Sequence, residues 1–90
     1  MSNKLPITDL EQTVEGMLSD DYKERFIAEY QQVALRRDKL QAMVDKWDDP
    51  TVELGFTPTC PRSTYDLQLR SMNDYIAVLE ARAVMEGVTL

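Results

Sequence analysis

Ninety residues with 16 acidic and 10 basic side chains carry a net charge of −6, with no histidine and a single cysteine, Cys60. A chain of this size makes one domain near the lower limit of what folds on one core. The acidic balance argues against sequence-independent binding of DNA or RNA, which needs a basic face to release counterions. The missing histidine rules out zinc sites of the usual Cys/His kind, and the lone cysteine rules out an internal disulfide.

Residues 1–7 read as a flexible tail. The run Pro6-Ile7-Thr8-Asp9-Leu10 then offers a helix start, with Thr8 or Asp9 as N-cap and Glu11 in the first turn. A short amphipathic helix is expected over 9–18, with Leu10, Val14, Met17 and Leu18 as its apolar face and Gly16 interrupting it. That face should pack on a neighbouring helix or on another subunit.

Residues 20–47 predict one long helix. The stretch has no Gly and no Pro, and Ser19 with Asp20 and Asp21 suits its start. Phe26, Tyr30, Val33, Leu40, Val44 and Trp47 recur at helical spacing and form a stripe. At about 1.5 Å per residue the rod is roughly 40 Å long. It cannot bury that stripe alone and needs a second helix, with a second copy of the chain as a further partner. It also gathers the positive charge: Lys23, Arg25, Arg36, Arg37, Lys39 and Lys46 stand against Glu24, Glu29, Asp38 and Asp45.

Asp48-Asp49-Pro50 ends the helix, because the residue before a proline is pushed out of the helical region. Residues 48–60 form a loop, expected to be pinned onto the bundle by Leu54 and Phe56. A last helix is predicted over 61–87, with Pro61 at its start and Gly87 as its stop. Tyr65, Leu69, Met72, Ile76, Leu79 and Ala83 make one stripe on it, and Tyr75, Val78, Arg82 and Met85 a second. Two stripes call for cover from two sides. The fold class is therefore all-α: a long helical hairpin with a short N-terminal helix, assembled as a homo-oligomer. With no cleavable apolar run at the N-terminus and no segment approaching a membrane span, a cytoplasmic location is expected.

No catalytic constellation is visible. There is no histidine base, no glycine-rich phosphate loop, no nucleophile elbow and no carboxylate cluster at metal spacing, so neither an enzyme nor a metal or cofactor site is expected. Cys60 precedes Pro61 in a loop without a cationic run beside it, which suits a small packed or capping residue better than a reactive thiol. The informative groups are cations in apolar seams. Arg37 falls within the stripe of Val33, Leu40 and Val44, with Arg36 at its edge; Arg82 lies between Val78 and Met85. A guanidinium there needs an acceptor, either a carboxylate such as Asp20 or Asp21 of another subunit or a ligand phosphate.

The pattern YKERF-x-x-EY, then ALRRDKL, then FTPTCPRS, then QL-x-x-M-x-x-Y-x-x-VL-x-x-RA, over about residues 21–86, resembles a group of small phage proteins. These are the anti-CBASS cyclic-oligonucleotide sponges, whose helical hairpin is shared with one class of anti-Thoeris sponges. The resemblance implies a compact helical homo-hexamer that sequesters cyclic dinucleotide immune signals without chemistry and takes cyclic trinucleotides at separate sites. It further implies that Tyr22 is the aromatic of the dinucleotide site, that Arg36, or Arg37 one residue on, is its basic partner, and that Arg82 serves trinucleotides. A small hydroxyl residue expected two positions past the basic one is replaced by Asp38 or Lys39. The rival expectations are an interaction module that binds a protein through its apolar stripes, a sponge for ADP-ribose-derived signals, and a hydrolase of cyclic nucleotides.

Overall fold

The computed structural model describes residues 8–90. All regular structure among them is helical: a 3-10 turn Leu10–Thr13 running into a single α-turn, α1, at Val14–Met17; the long helix α2 at Tyr22–Asp48; and α3 at Arg62–Glu86. The described chain is a rod of 44 × 23 × 19 Å, its length set by α2. No helix among the described residues is long and apolar enough to cross a membrane. The tail expected at 1–7 lies outside the described residues.

Each boundary follows from local chemistry. Asp9 and Gln12 form a reciprocal capping box: Asp9 Oδ1 accepts from the Glu11 N–H at 3.0 Å and Gln12 Oε1 accepts from the Asp9 N–H at 3.0 Å. The first turn is wound as 3-10 and α1 adds only one α-turn, so the helical segment is shorter than the expected 9–18. Helix α2 starts at Tyr22 instead of residue 20, because Asp21 caps it by accepting from the Lys23 N–H at 2.9 Å. Ser19 supports that cap one step back, its hydroxyl oxygen accepting from the Asp21 N–H at 3.0 Å. At the other end Asp48 stays helical and Asp49 terminates α2, accepting from both the N–H and the hydroxyl of Thr51. Pro61, extended at φ −60° and ψ 150°, precedes α3 and does not open it. Gly87, at φ 70°, closes α3 in the left-handed conformation that its missing Cβ permits.

Helices α2 and α3 pack along one apolar seam. Its tightest part is a knot of Phe26, Leu79, Ala83 and Val88, flanked by Ile27, Tyr30 and Val33. Val88 joins it because Gly87 turns the chain back, so that the Val88 N–H reaches the Ala83 carbonyl at 2.9 Å. Val44, Leu69 and Ile76 are also buried. Of the expected α2 stripe, Phe26 and Val44 are fully covered, whereas Tyr30, Val33, Leu40 and Trp47 are half-buried.

The N-terminal segment docks on α2 by a different face from the one its apolar residues predict. Val14 and Met17 are exposed and Leu18 is 78% exposed, while Thr13 is the one buried polar residue among those described. The Thr13 hydroxyl donates to the Leu10 carbonyl at 2.7 Å and accepts from Gln32 Nε2 at 2.9 Å. Gly16 faces α2 so closely that a Cβ there would stand 3.1 Å from the Ala28 Cβ. Close approach of two helix backbones selects small side chains over apolar ones, and this overrides the amphipathic reading. The loop lies against α2 through the expected pair: Leu54 is half-buried and Phe56, though 57% exposed, lines a shallow pocket with Ala42 and Met43.

Two outcomes test this packing. Leu79→Ala removes a fully buried side chain from the knot and should lower the unfolding free energy by about 2–5 kcal/mol in urea titration. Thr13→Val should cost about 1–3 kcal/mol, because it strips Gln32 and the Leu10 carbonyl of a buried partner. A Thr13→Val chain as stable as the native one would show that the docking is apolar after all.

Candidate functional site

The four residues singled out from the sequence fall at three places. Tyr22 and Arg82 meet. Tyr22 opens α2 and Arg82 sits in the last turns of α3, and the register locked by Phe26 and Leu79 brings them together. The Tyr22 hydroxyl accepts from Arg82 Nη2 at 2.7 Å and donates to Glu86 Oε1 at 2.8 Å. Arg82 Nε donates to Glu86 Oε2 at 3.2 Å, closing a three-membered ring of contacts. Beneath it, the Arg82 guanidinium lies 4.8 Å from the centre of the Phe26 ring, a cation–π placement, and Phe26 meets Tyr22 edge-on at 6.1 Å.

This cluster tunes its members. Glu86 accepts from Tyr22 and then from Arg82, which holds its carboxyl below the ordinary 4.5. The same Glu86 contact, helped by desolvation, pushes the Tyr22 phenol above 10.0, and Arg82 is raised mainly by Glu86. All three groups are open to solvent, so the tuning affects titration more than stability.

Arg37 is spoken for. Its Nε donates to Asp38 at 2.7 Å and its Nη1 to Asn73 Oδ1 at 2.7 Å, which straps α2 to α3 beside the seam. Arg36, one residue earlier, points away. Among the described residues the side chains of Arg36 and Lys39 have no hydrogen-bond or ion-pair partner. Both line an open groove of about 410 Å³ together with Leu10, Leu40, Met43, Gln68 and Met72. Among the described residues no acidic side chain lines it. The groove offers an apolar floor, one amide and two unneutralised cations, an arrangement suited to a phosphorylated ligand with a flat apolar part.

Tyr22 and Arg36 are not brought together within one chain. They stand fourteen positions apart on α2, roughly 21 Å along its axis. Sequence reasoning missed Glu86, Phe26 and Lys39 as members of these sites. The signals were present as helical spacings: Glu86 follows Arg82 by four, Phe26 follows Tyr22 by four, and Lys39 follows Arg36 by three. Among the described residues of one chain, neither Asp20 nor Asp21 pairs with an arginine. Among the described residues no group of three His, Cys, Asp or Glu side chains could hold a metal ion.

The carboxyl of Glu86 gives a direct check. Tyr22→Phe should raise its pKa toward the ordinary value more than any loss of the weaker Arg82 Nε contact, as read by carboxyl NMR across an acid titration. Because the folded pKa is the lower one, this contact contributes stability above the unfolded value and loses it as pH falls through the folded one.

A family model described as Sequestin matches residues 20–85, which takes in all of α2, the loop and all of α3 but its last residue. Comparison with curated proteins and with solved structures gives no match. With both hairpin helices inside the matched span, the chain belongs to the Sequestin family.

Proposed function

We propose that this chain captures cyclic dinucleotide immune signals, and holds them intact, on behalf of a phage or prophage in the cytoplasm of its bacterial host. The family name denotes sequestration, and the resemblance to the anti-CBASS sponges gives the ligand class. The observation that carries the reading is Arg36: a guanidinium without a counter-ion among the described residues of its own chain, beside Lys39, over an apolar groove that no described acidic side chain lines. Ionised donors favour phosphate strongly because their hydrogen bonds to it are charge-assisted. Cyclic trinucleotides, through Arg82, are the second ligand class.

Assembly completes the site. A cyclic dinucleotide has two phosphates and two bases related by near two-fold symmetry, and an isologous pair of chains meets it with the same equipment twice. Antiparallel apposition of two α2 helices about position 29 sets Tyr22 of one copy opposite Arg36 of the other, which spans the 21 Å gap that separates them in one chain. Stacking on tyrosine contributes about 1–3 kcal/mol per base and tolerates different bases. Exposed apolar side chains support self-association: Leu67, Val78 and Met85 on the outer side of α3, and Val14, Met17 and Leu18 at the N-terminal segment. A homo-hexamer is the assembly that the resemblance implies.

Arg36→Ala should weaken cyclic dinucleotide binding roughly ten- to hundredfold, the loss expected for one charged contact to phosphate, while the mass of the oligomer stays unchanged. Arg37→Ala should instead lower stability by about 1 kcal/mol through the lost strap to Asn73. Heat denaturation of the complex should release the intact cyclic ligand; linear products would mean hydrolysis. A folded oligomer that shows no thermal shift with any cyclic di- or trinucleotide would make the chain a protein-interaction module.

A further inference from the structure

We propose that Tyr22 and Arg82 form a phosphate receptor that the chain keeps filled with its own Glu86 carboxylate, and that ligand phosphate binds there by exchange with Glu86. The inference rests on the reading of the chain as a receptor for phosphorylated ligands.

The geometry is that of an occupied anion site. One carboxylate presents two oxygens to two donors from different helices: Oε1 takes the Tyr22 O–H at 2.8 Å and Oε2 takes Arg82 Nε–H at 3.2 Å. The donors are fixed before any ligand arrives. Arg82 lies over the Phe26 ring at 4.8 Å from its centre, and its Nη2 also donates to the tyrosine oxygen at 2.7 Å. Pairs of donors set at this spacing suit any anion that offers two neighbouring oxygens, and a phosphate offers them as a carboxylate does. Glu86 is the replaceable member. It sits in the final turn of α3, on a flexible stem, immediately before the left-handed Gly87. Phe26, by contrast, is buried in the knot with Leu79, Ala83 and Val88, and it backs both Arg82 and Tyr22.

Exchange gives Tyr22 a second role. Its ring face can stack a base, while the O–H that now points at Glu86 passes to the incoming phosphate. It also makes the two ligand classes interdependent, because the aromatic assigned to dinucleotides and the arginine assigned to trinucleotides share one hydrogen bond. Filling either site disturbs the other through Glu86. The side chain therefore sets affinity and selectivity at this end of the hairpin by competing for the same donors.

Inorganic pyrophosphate tests the exchange without any nucleotide. Its binding to the full chain is followed through the Arg82 Nε–H and Tyr22 ring resonances. Glu86→Gln and Glu86→Ala should bind it roughly two- to fivefold more tightly than the native chain, the range that loss of one exposed ion pair allows, with shifts at both residues. Unchanged or weaker binding in both variants, or an Arg82 signal that stays still at saturation, overturns the proposal. Where Glu86→Ala loses helix stability, Glu86→Gln decides, since it keeps an acceptor for Tyr22 without the charge. Calorimetry with cyclic di- and trinucleotides separates this from the wider reading. Native-chain binding that neither Glu86 variant improves keeps the sponge and removes the exchange. A gain for pyrophosphate in chains that bind no cyclic nucleotide upholds the exchange and removes the sponge.

Discussion

The apolar seam between α2 and α3 is the contact on which the other features depend. Two helices of this length bury little surface by themselves, and the seam is tightest where Phe26, Leu79, Ala83 and Val88 meet. Apolar burial is non-directional, but the interlocking of these four side chains fixes the register of one helix on the other. Register then decides which polar groups meet. Tyr22 lies one turn before Phe26, Arg82 one turn beyond Leu79, and Glu86 one turn beyond Ala83, so locking the knot assembles the polar cluster above it.

Charge is arranged unevenly along the rod. At the knot end, Arg82 is matched by Glu86. At the loop end, Arg62 is held by Asp48 and Asp66 and lies 5.9 Å from the centre of the Trp47 ring, which itself meets Tyr65 edge-on. These contacts fasten the two ends of the hairpin. Between them, on the face of α2 turned away from the Asn73 strap, Arg36 and Lys39 carry charge that no side chain among the described residues neutralises. Adjacent arginines thus divide the work: Arg37 holds helices together and Arg36 faces solvent over an apolar groove. The 100° step between neighbouring helical positions is the whole cause of that division.

The N-terminal segment follows a different rule from the hairpin. Val14, Met17 and Leu18 face outward while Gly16 lies against Ala28 and Thr13 is bonded to Gln32. Backbones that approach so closely leave no room for leucine, and hydrogen bonding compensates for the little apolar area they bury. The displaced Val14, Met17 and Leu18 remain on the surface with the outer stripe of α3, and no other described residue covers them.

Much of the hairpin was legible without coordinates, because it rests on local preferences. The 3.6-residue recurrence from Phe26 to Val44 and from Leu69 to Ala83, the break at Asp49-Pro50 and the left-handed stop at Gly87 are properties of short stretches, and each appears in the fold. The docking face of the N-terminal segment was not legible, since it depends on how near α1 comes to α2, which no periodicity encodes. Nor was the placement of the site residues. Tyr22 and Arg82 stand sixty positions apart in sequence, and only the interhelical register joins them, directly and through Glu86. Arg36 and Arg37 are neighbours in sequence, and only the position of Asn73 across the seam gives Arg37 a partner on α3. A chain specifies its own helices through contacts within a few residues, whereas the partner of a charged side chain is chosen by the opposing helix.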